Sequence, residues 1–325
     1  LCFQTFRRNK GNAAFHGKGG NPAFPGKNTQ ILKIVDFLNA RARENQWGFV
    51  DFNRPMVAIN QWEQAADSMY TLCGKDRIHP STDGHLVMAY LFLKAQGLAG
   101  KPVADIRIDG AGKKVTRSDN CRVSDLSVSS DNLTFTYEAK SLPYPIDTSY
   151  YDNEKHTQAD ALSVIPFMDE MNYEGLSVSG LSDGYYGLTI GGEFIGRFTA
   201  RELERGINMA LLQNTPQYKQ AMKIRQMNEE RWLKERKMRE FYWVEYNLMR
   251  KTGMLWACNE AAVDTLRKYR PHDIFLQWNG DLWLQYMHKG IREDCVNEQQ
   301  DLVNQIYEQN KPIPLRIEIK KFTDL

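Results

Sequence analysis

Apolar residues recur at helical spacing at Ile31, Ile34, Val35 and Leu38, while Lys33, Arg41 and Arg43 stay polar. One apolar stripe with a wet opposite side predicts an amphipathic helix over residues 29–45. Gly48 then precedes Phe49-Val50-Asp51-Phe52, a short run that predicts a strand, with Pro55 barring a long continuation. The helical period returns at Leu86, Val87, Tyr90, Leu91 and Leu93. Ser81 is placed to cap that helix, Asp83 suits its positive end and Gly97 stops it, which predicts a helix over 82–96.

From Lys101 the apolar period drops to two. Residues 103–109, 126–128 and 133–138 alternate like half-buried strands. Residues 141–175 are rich in Pro, Tyr and Asp and predict no definite element. Gly191-Gly192 inside 188–198 is a two-residue hairpin turn. Helical signals then take over. Thr199 and Glu202 have capping-box spacing, and Thr215-Pro216 is an N-cap followed by proline at the first helical position. The helix opening there runs to Gly253 and should be roughly 50 Å long at about 1.5 Å per residue. Glu230–Lys234 and Glu235–Arg239 support it as i,i+4 pairs. Further helices fit 259–269 and 281–309, and Pro312 and Pro314 precede a last strand at 315–319.

Before residue 29 the pattern is weak. Leu1-Cys2-Phe3 reads as a short strand running into a long loop rich in Gly, Asn, Lys and Pro. A chain that opens inside a strand pattern without methionine is expected to be a fragment. Strand, loop, helix, strand, loop, helix is the rhythm of a parallel α/β sheet. Two strands are too few for a stable layer, so that domain is expected to be incomplete at its N-terminus.

Composition narrows the class of protein. The 325 residues are 42% hydrophobic and 25% charged, ordinary for a globular chain of two or three domains. A net charge of +2 without a clustered basic face excludes an obvious nucleic-acid footprint. Cys2, Cys73, Cys121, Cys258 and Cys295 are scattered, with no Cys-x-x-Cys, so neither a zinc ribbon nor a complete disulfide framework is expected. No apolar run is long enough to span a bilayer.

One short segment carries candidate chemistry. An Asp three residues before a His, on a loop that folds back, can hold the imidazole in the tautomer a general base needs. Cys73-Gly74-Lys75-Asp76-Arg77-Ile78-His79-Pro80 suits such a loop: Gly74 permits the turn, Pro80 stiffens the exit and the next helix anchors it. Of the six histidines, only His79 has a carboxylate at minus three. By spacing alone, the same residues also fit a surface turn ahead of a helix cap. Asp76, His79 and His85 could be metal ligands but lack a further anchor. His85 fits better as a helix-start residue, Asp51 as a structural group and His16 as an exposed loop residue. Trp232, Phe241, Tyr242, Trp243 and Tyr246 read as core of the long helix, with a sugar platform as the alternative.

Residues 76–89, Asp-Arg-Ile-His-Pro-Ser-Thr-Asp-Gly-His-Leu-Val-Met-Ala, resemble the last conserved block of SGNH (GDSL-type) serine hydrolases. That block reads Asp-x-x-His-Pro, a short cap and Gly-His before an apolar helix. The resemblance covers about residues 1–98 and implies an α/β fold, a flavodoxin-like three-layer α/β/α domain incomplete at its N-terminus. A β-rich region with the hairpin would follow at 99–198, then a helical region ending in a strand at 199–325. It implies His79 as general base and Asp76 as its orienting acid, with no metal or organic cofactor.

The chain departs from the family pattern in two respects, the nucleophile block and the oxyanion block. The family's nucleophile lies in a Gly-Asp-Ser block near the N-terminus, and no Gly-Asp-Ser occurs here. Gly11-Asn12 and Gly20-Asn21 do not match the Gly-x-Asn-Asp block that supplies an oxyanion donor. Ser177 and Ser179 lie in a strand-like setting, not a nucleophile elbow. The serine is therefore expected from an upstream segment. The region beyond the motif resembles multidomain SGNH proteins of polysaccharide-degrading bacteria. That implies a carbohydrate esterase or deacetylase, periplasmic or secreted, acting on an acylated small molecule or polysaccharide. The alternative is a non-catalytic SGNH-derived carbohydrate-binding or scaffolding protein.

Overall fold

The computed structural model describes residues 27–74, 77–149 and 156–322. The expected strand at the start and most of the long loop, including His16, lie outside the described residues. The chain is mixed α/β and divides into two compact units. One holds residues up to Ala139, Pro143–Gln213 and the chain from Leu315; the other holds Lys140–Leu142 and Asn214–Pro314.

The described residues of the first unit begin with three helices, α1 (Lys27–Asn45), α2 (Asn53–Glu63) and α3 (Thr82–Ala95). The strand expected at 49–52 is not formed; the segment is irregular backbone leading into α2, with Phe52 already at helical angles. Pro55 falls in the first turn of α2, where its missing N–H costs nothing. The Asp51 carboxylate accepts the backbone N–H of Asn53 at 2.9 Å and of Arg54 at 3.1 Å, which confirms a structural job for Asp51. Among the described residues, this stretch holds helices and one isolated bridge, not the expected parallel sheet. The apolar stripe of α1 is also not core: Ile34 is 57% and Leu38 48% exposed.

Among the described residues nine strands follow: β1 (Ala104–Asp109), β2 (Lys114–Asp119), β3 (Cys121–Val128), β4 (Asn132–Ala139), β5 (Glu174–Ser179), β6 (Tyr185–Ile190), β7 (Glu193–Thr199), β8 (Ile207–Asn208) and β9 (Leu315–Lys321). They form a four-stranded sheet, β2-β1-β5-β8, and a five-stranded sheet, β3-β4-β9-β6-β7. Inward residues of both sheets share one core, including Ile106, Phe135, Leu176, Leu188 and Ile317. β6 and β7 are the expected hairpin, with Gly191 and Gly192 both at positive φ as a two-residue turn requires. The C-terminal strand β9 lies between β4 and β6, pairing Ile317 with Phe135 and Ile319 with Leu188.

A second core in this unit packs Met56, Leu72, Cys73, Leu86, Val87 and Tyr90 against Ile165, Phe167 and Met168. The last two belong to the short helix α4 (Phe167–Glu170). Tyr90 donates to Glu170 at 2.7 Å, and Lys94 reaches the same carboxylate at 2.8 Å. After β7 comes α5 (Ala200–Arg205), opened by the expected capping box: Glu202 N–H donates to Thr199 Oγ1 at 3.1 Å and Thr199 N–H to Glu202 at 2.7 Å.

The second unit contains α6 (Pro216–Val244), α7 (Glu260–Tyr269), α8 (Ile274–Tyr286) and α9 (Lys289–Gln309). Thr215 caps α6 through Tyr218 N–H at 3.3 Å, with Pro216 as its first residue. The single helix expected over 281–309 is two helices, broken at Met287 and His288. Phe241, Val244, Leu266, Leu276 and Trp283 form the core. No helix of the described residues is long and apolar enough to cross a membrane.

Candidate functional site

The loop singled out from the sequence is braced at its base. Cys73 and Pro80 form an antiparallel bridge, Gly74 N–H donates to His79 O at 2.8 Å, and Ser81 N–H donates to Leu72 O at 3.0 Å. At the reversal Arg77 adopts φ +55°, left-handed backbone that few non-glycine residues take, and its N–H donates to Gly74 O at 2.9 Å. Burial lowers the pKa of the Arg77 guanidinium, which donates to Met69 O at 3.3 Å.

Two elements anchor this hairpin-like loop. On one side the buried Asn60 of α2 accepts Leu72 N–H at 3.0 Å. On the other, α3 packs so closely that a Cβ on Gly84 would overlap the Leu72 carbonyl oxygen and crowd Pro80 Cβ at 3.2 Å. Gly84 is therefore a packing requirement, which explains a glycine in the first turn of a helix.

His79 stands exposed on this loop, its carbonyl held by Gly74. Asp76, its expected acid, lies outside the described residues. His85 is exposed too, and its Nδ1 lies 3.1 Å from Ser81 O, so it is a helix-start residue as expected. Among the described residues, no group of three or more His, Cys, Asp or Glu could hold a metal ion.

The helix start differs from expectation. Ser81 occupies the N-cap position, but its side chain makes no cap hydrogen bond and instead donates to Asp83 Oδ1. That same oxygen accepts Gly84 N–H at 2.7 Å. The other carboxylate oxygen of Asp83 faces His156 Nδ1 at 3.5 Å. Burial pushes the Asp83 carboxyl above its ordinary value; the Ser81 hydroxyl, His156 and Gly84 N–H pull it back. Tyr70 packs edge-on to His156 at 6.1 Å, and burial followed by the Asp83 charge raises its phenol.

Asp83–His156 is thus a carboxylate–histidine pair beside the loop that spacing did not reveal. Asp83 reads in sequence as a helix-dipole residue, and His156 falls in the stretch where no element was expected. No local signal links residues so far apart. Ser177 and Ser179 lie on β5, as their strand-like pattern implied.

Comparison with known proteins adds a relative. Residues 222–311 match the family model described as the C-terminal helical domain of diltiazem deacetylase. The structure also matches a solved gut microbial diltiazem-metabolizing enzyme with a TM-score of 0.85 and 41% sequence identity. The match covers 91% of this chain and 67% of that one. No curated protein sequence matches.

Proposed function

The chain belongs to the diltiazem deacetylase family, and we propose that it is part of a serine ester hydrolase of the SGNH type that removes acetyl groups from a carbohydrate. The observation that carries the reading is the braced loop that bears His79, in a chain with the Asp-x-x-His-Pro motif that is 41% identical to a diltiazem-metabolizing enzyme. His79 takes the proton of a serine hydroxyl, and Asp76 holds the imidazole in the required tautomer. The serine oxygen attacks the acyl carbon, the alcohol leaves with that proton, and water releases acetate from the serine ester. The serine comes from sequence beyond these residues, since no Gly-Asp-Ser occurs here. The exposed apolar stripe of α1 fits a helix that covers a sheet supplied by the same sequence. The same reading puts the enzyme in the periplasm or outside the cell, with no metal or organic cofactor.

The test is acetate release by the protein carrying a Gly-Asp-Ser segment ahead of this chain, with acetylated xylooligosaccharides and diltiazem as substrates. Release that disappears in His79→Ala supports the reading. Release that survives His79→Ala overturns the assignment of the base, and diltiazem cleaved in preference to every acetylated sugar overturns the carbohydrate substrate.

A further inference from the structure

In the second unit, several unusual features converge on Trp256. α6 passes into a π-helical stretch, Glu245–Met249, a geometry that concentrates at functional sites. After Gly253 the chain turns, with Ala257 N–H donating to Met254 O at 2.9 Å. Trp256 is the third residue of that turn at φ +64°, where glycine or asparagine is the usual occupant. A bulky side chain in this backbone region is strained, and such strain clusters at ligand clamps. The buried Glu245 holds it there: one oxygen accepts Trp256 N–H at 2.9 Å and the other accepts Trp283 Nε1–H at 2.8 Å.

The result is an indole held outward, 46% exposed. It meets Tyr242 and Tyr246 edge-on at 6.0 and 5.9 Å. Trp256 and Tyr242, with Met238 and Val296, line a shallow cavity of about 340 Å³ that is largely open to solvent. Its polar rim comes from one face of α9: Lys289, Arg292, Glu293 and Asn297. Arg292 is fixed in place, donating to Tyr286 O at 2.5 Å and Met287 O at 2.7 Å and lying over the Phe241 ring. Lys289 and Glu293 are paired at 3.1 Å.

We infer that this cavity binds a neutral pyranose ring of a saccharide. The aromatic wall accepts the apolar C–H face of a ring by stacking. Paired ammonium and carboxylate, together with an amide, offer donors and acceptors to hydroxyls around that ring. An anion would meet Glu293 and a cation would meet Lys289 and Arg292. A wholly apolar ligand would strip water from all of them without replacing it. The site uses no residue of the Asp76–His79 loop, so it stands or falls separately from the ester-hydrolase reading.

The test is ligand-observed NMR and calorimetry on the whole chain with cellobiose, xylobiose and N,N′-diacetylchitobiose as probes. At least one should bind saturably in the millimolar range, and His79→Ala should bind it equally well. Trp256→Gly suits the left-handed backbone, so it should keep or raise the melting temperature while weakening binding about tenfold or more. Asn297→Leu, an exposed helix position, should weaken binding without unfolding the chain, and Trp232→Ala, an exposed tryptophan outside the cavity, should leave it unchanged. The inference is overturned if none of the three disaccharides binds, or if both Trp256→Gly and Asn297→Leu bind as the parent does.

Discussion

The buried Asp83 carboxylate at the start of α3 faces His156 Nδ1 across 3.5 Å. Around it stand the Ser81 hydroxyl, Gly84 N–H, Asp160 and Tyr70. Burial raises the Asp83 pKa above its ordinary 3.8, so the folded state holds this proton more tightly than the unfolded chain. The stabilising contribution is complete below the ordinary value and is lost as pH rises through the raised one. Asp83→Asn keeps an acceptor for Ser81 and Gly84 and removes the titration. Its stability relative to the parent should therefore grow as pH rises from the carboxylate range toward neutrality. Melting temperatures at stepped pH check this; a difference that stays constant with pH would refute it.

Gly84→Ala tests the fit between α3 and the motif loop. The added methyl would overlap the Leu72 carbonyl, which is backbone and cannot rotate away. Overpacking of this kind costs about 1–3 kcal/mol. A urea midpoint lowered accordingly is the expected result, and an unchanged midpoint would show that the loop gives way freely.

These two residues also show how far local patterns reach. The α3 helix, the Gly191-Gly192 hairpin, the Thr199–Glu202 capping box and the Thr215-Pro216 start were legible because each signal lies within a few residues. The α2 helix was missed because Pro55 was read as a strand breaker when it sits in a helical first turn. The seat of β9 between β4 and β6 was illegible because strand pairing across most of the chain leaves no local period. In the candidate site, the brace around His79 followed from Gly74, Pro80 and the helix behind them. The Asp83–His156 contact did not, because it joins segments that only the packed core around Leu86 and Ile165 brings together.

Inside the sandwich, Tyr137 Oη donates to Glu174 Oε1 at 2.8 Å, with both side chains buried. Burial and the neighbouring carboxylate raise the Tyr137 phenol, so it stays a donor across the working pH range. Tyr137→Phe keeps the ring packing and leaves that carboxylate oxygen without this donor. A hydrogen bond to a charged group contributes about 1.5–3 kcal/mol. Chemical denaturation should show a loss of that order; a change within error would mean that other groups already satisfy Glu174.

Cys258 is exposed and its Sγ lies 3.3 Å from His288 Nδ1, whereas Cys73, Cys121 and Cys295 are buried. Alkylation proceeds through the thiolate, so exposure and an adjacent base both favour it. Peptide mass mapping after brief iodoacetamide treatment should find Cys258 modified well ahead of those three cysteines. His288→Gln should slow it without exposing the others. Equal labelling of Cys73 and Cys258 would contradict the packing described for the first.

The last prediction separates His79, the proposed base, from His156, which faces the Asp83 carboxylate. If His79 is the general base, His79→Ala in the protein bearing its Gly-Asp-Ser segment should abolish acetate release. Asp76→Asn should lower kcat by about 10⁴-fold, because the imidazole would then be held in the wrong tautomer. His156→Ala removes only a neighbour of Asp83, so it should leave kcat within a few-fold and shift the pH dependence of stability instead. The two outcomes are measured on the same preparations, by acetate release and by melting temperature against pH. A protein that loses hydrolysis with His156→Ala and keeps it with His79→Ala would move the base to the Asp83–His156 pair and leave the Asp76–His79 loop as a structural turn.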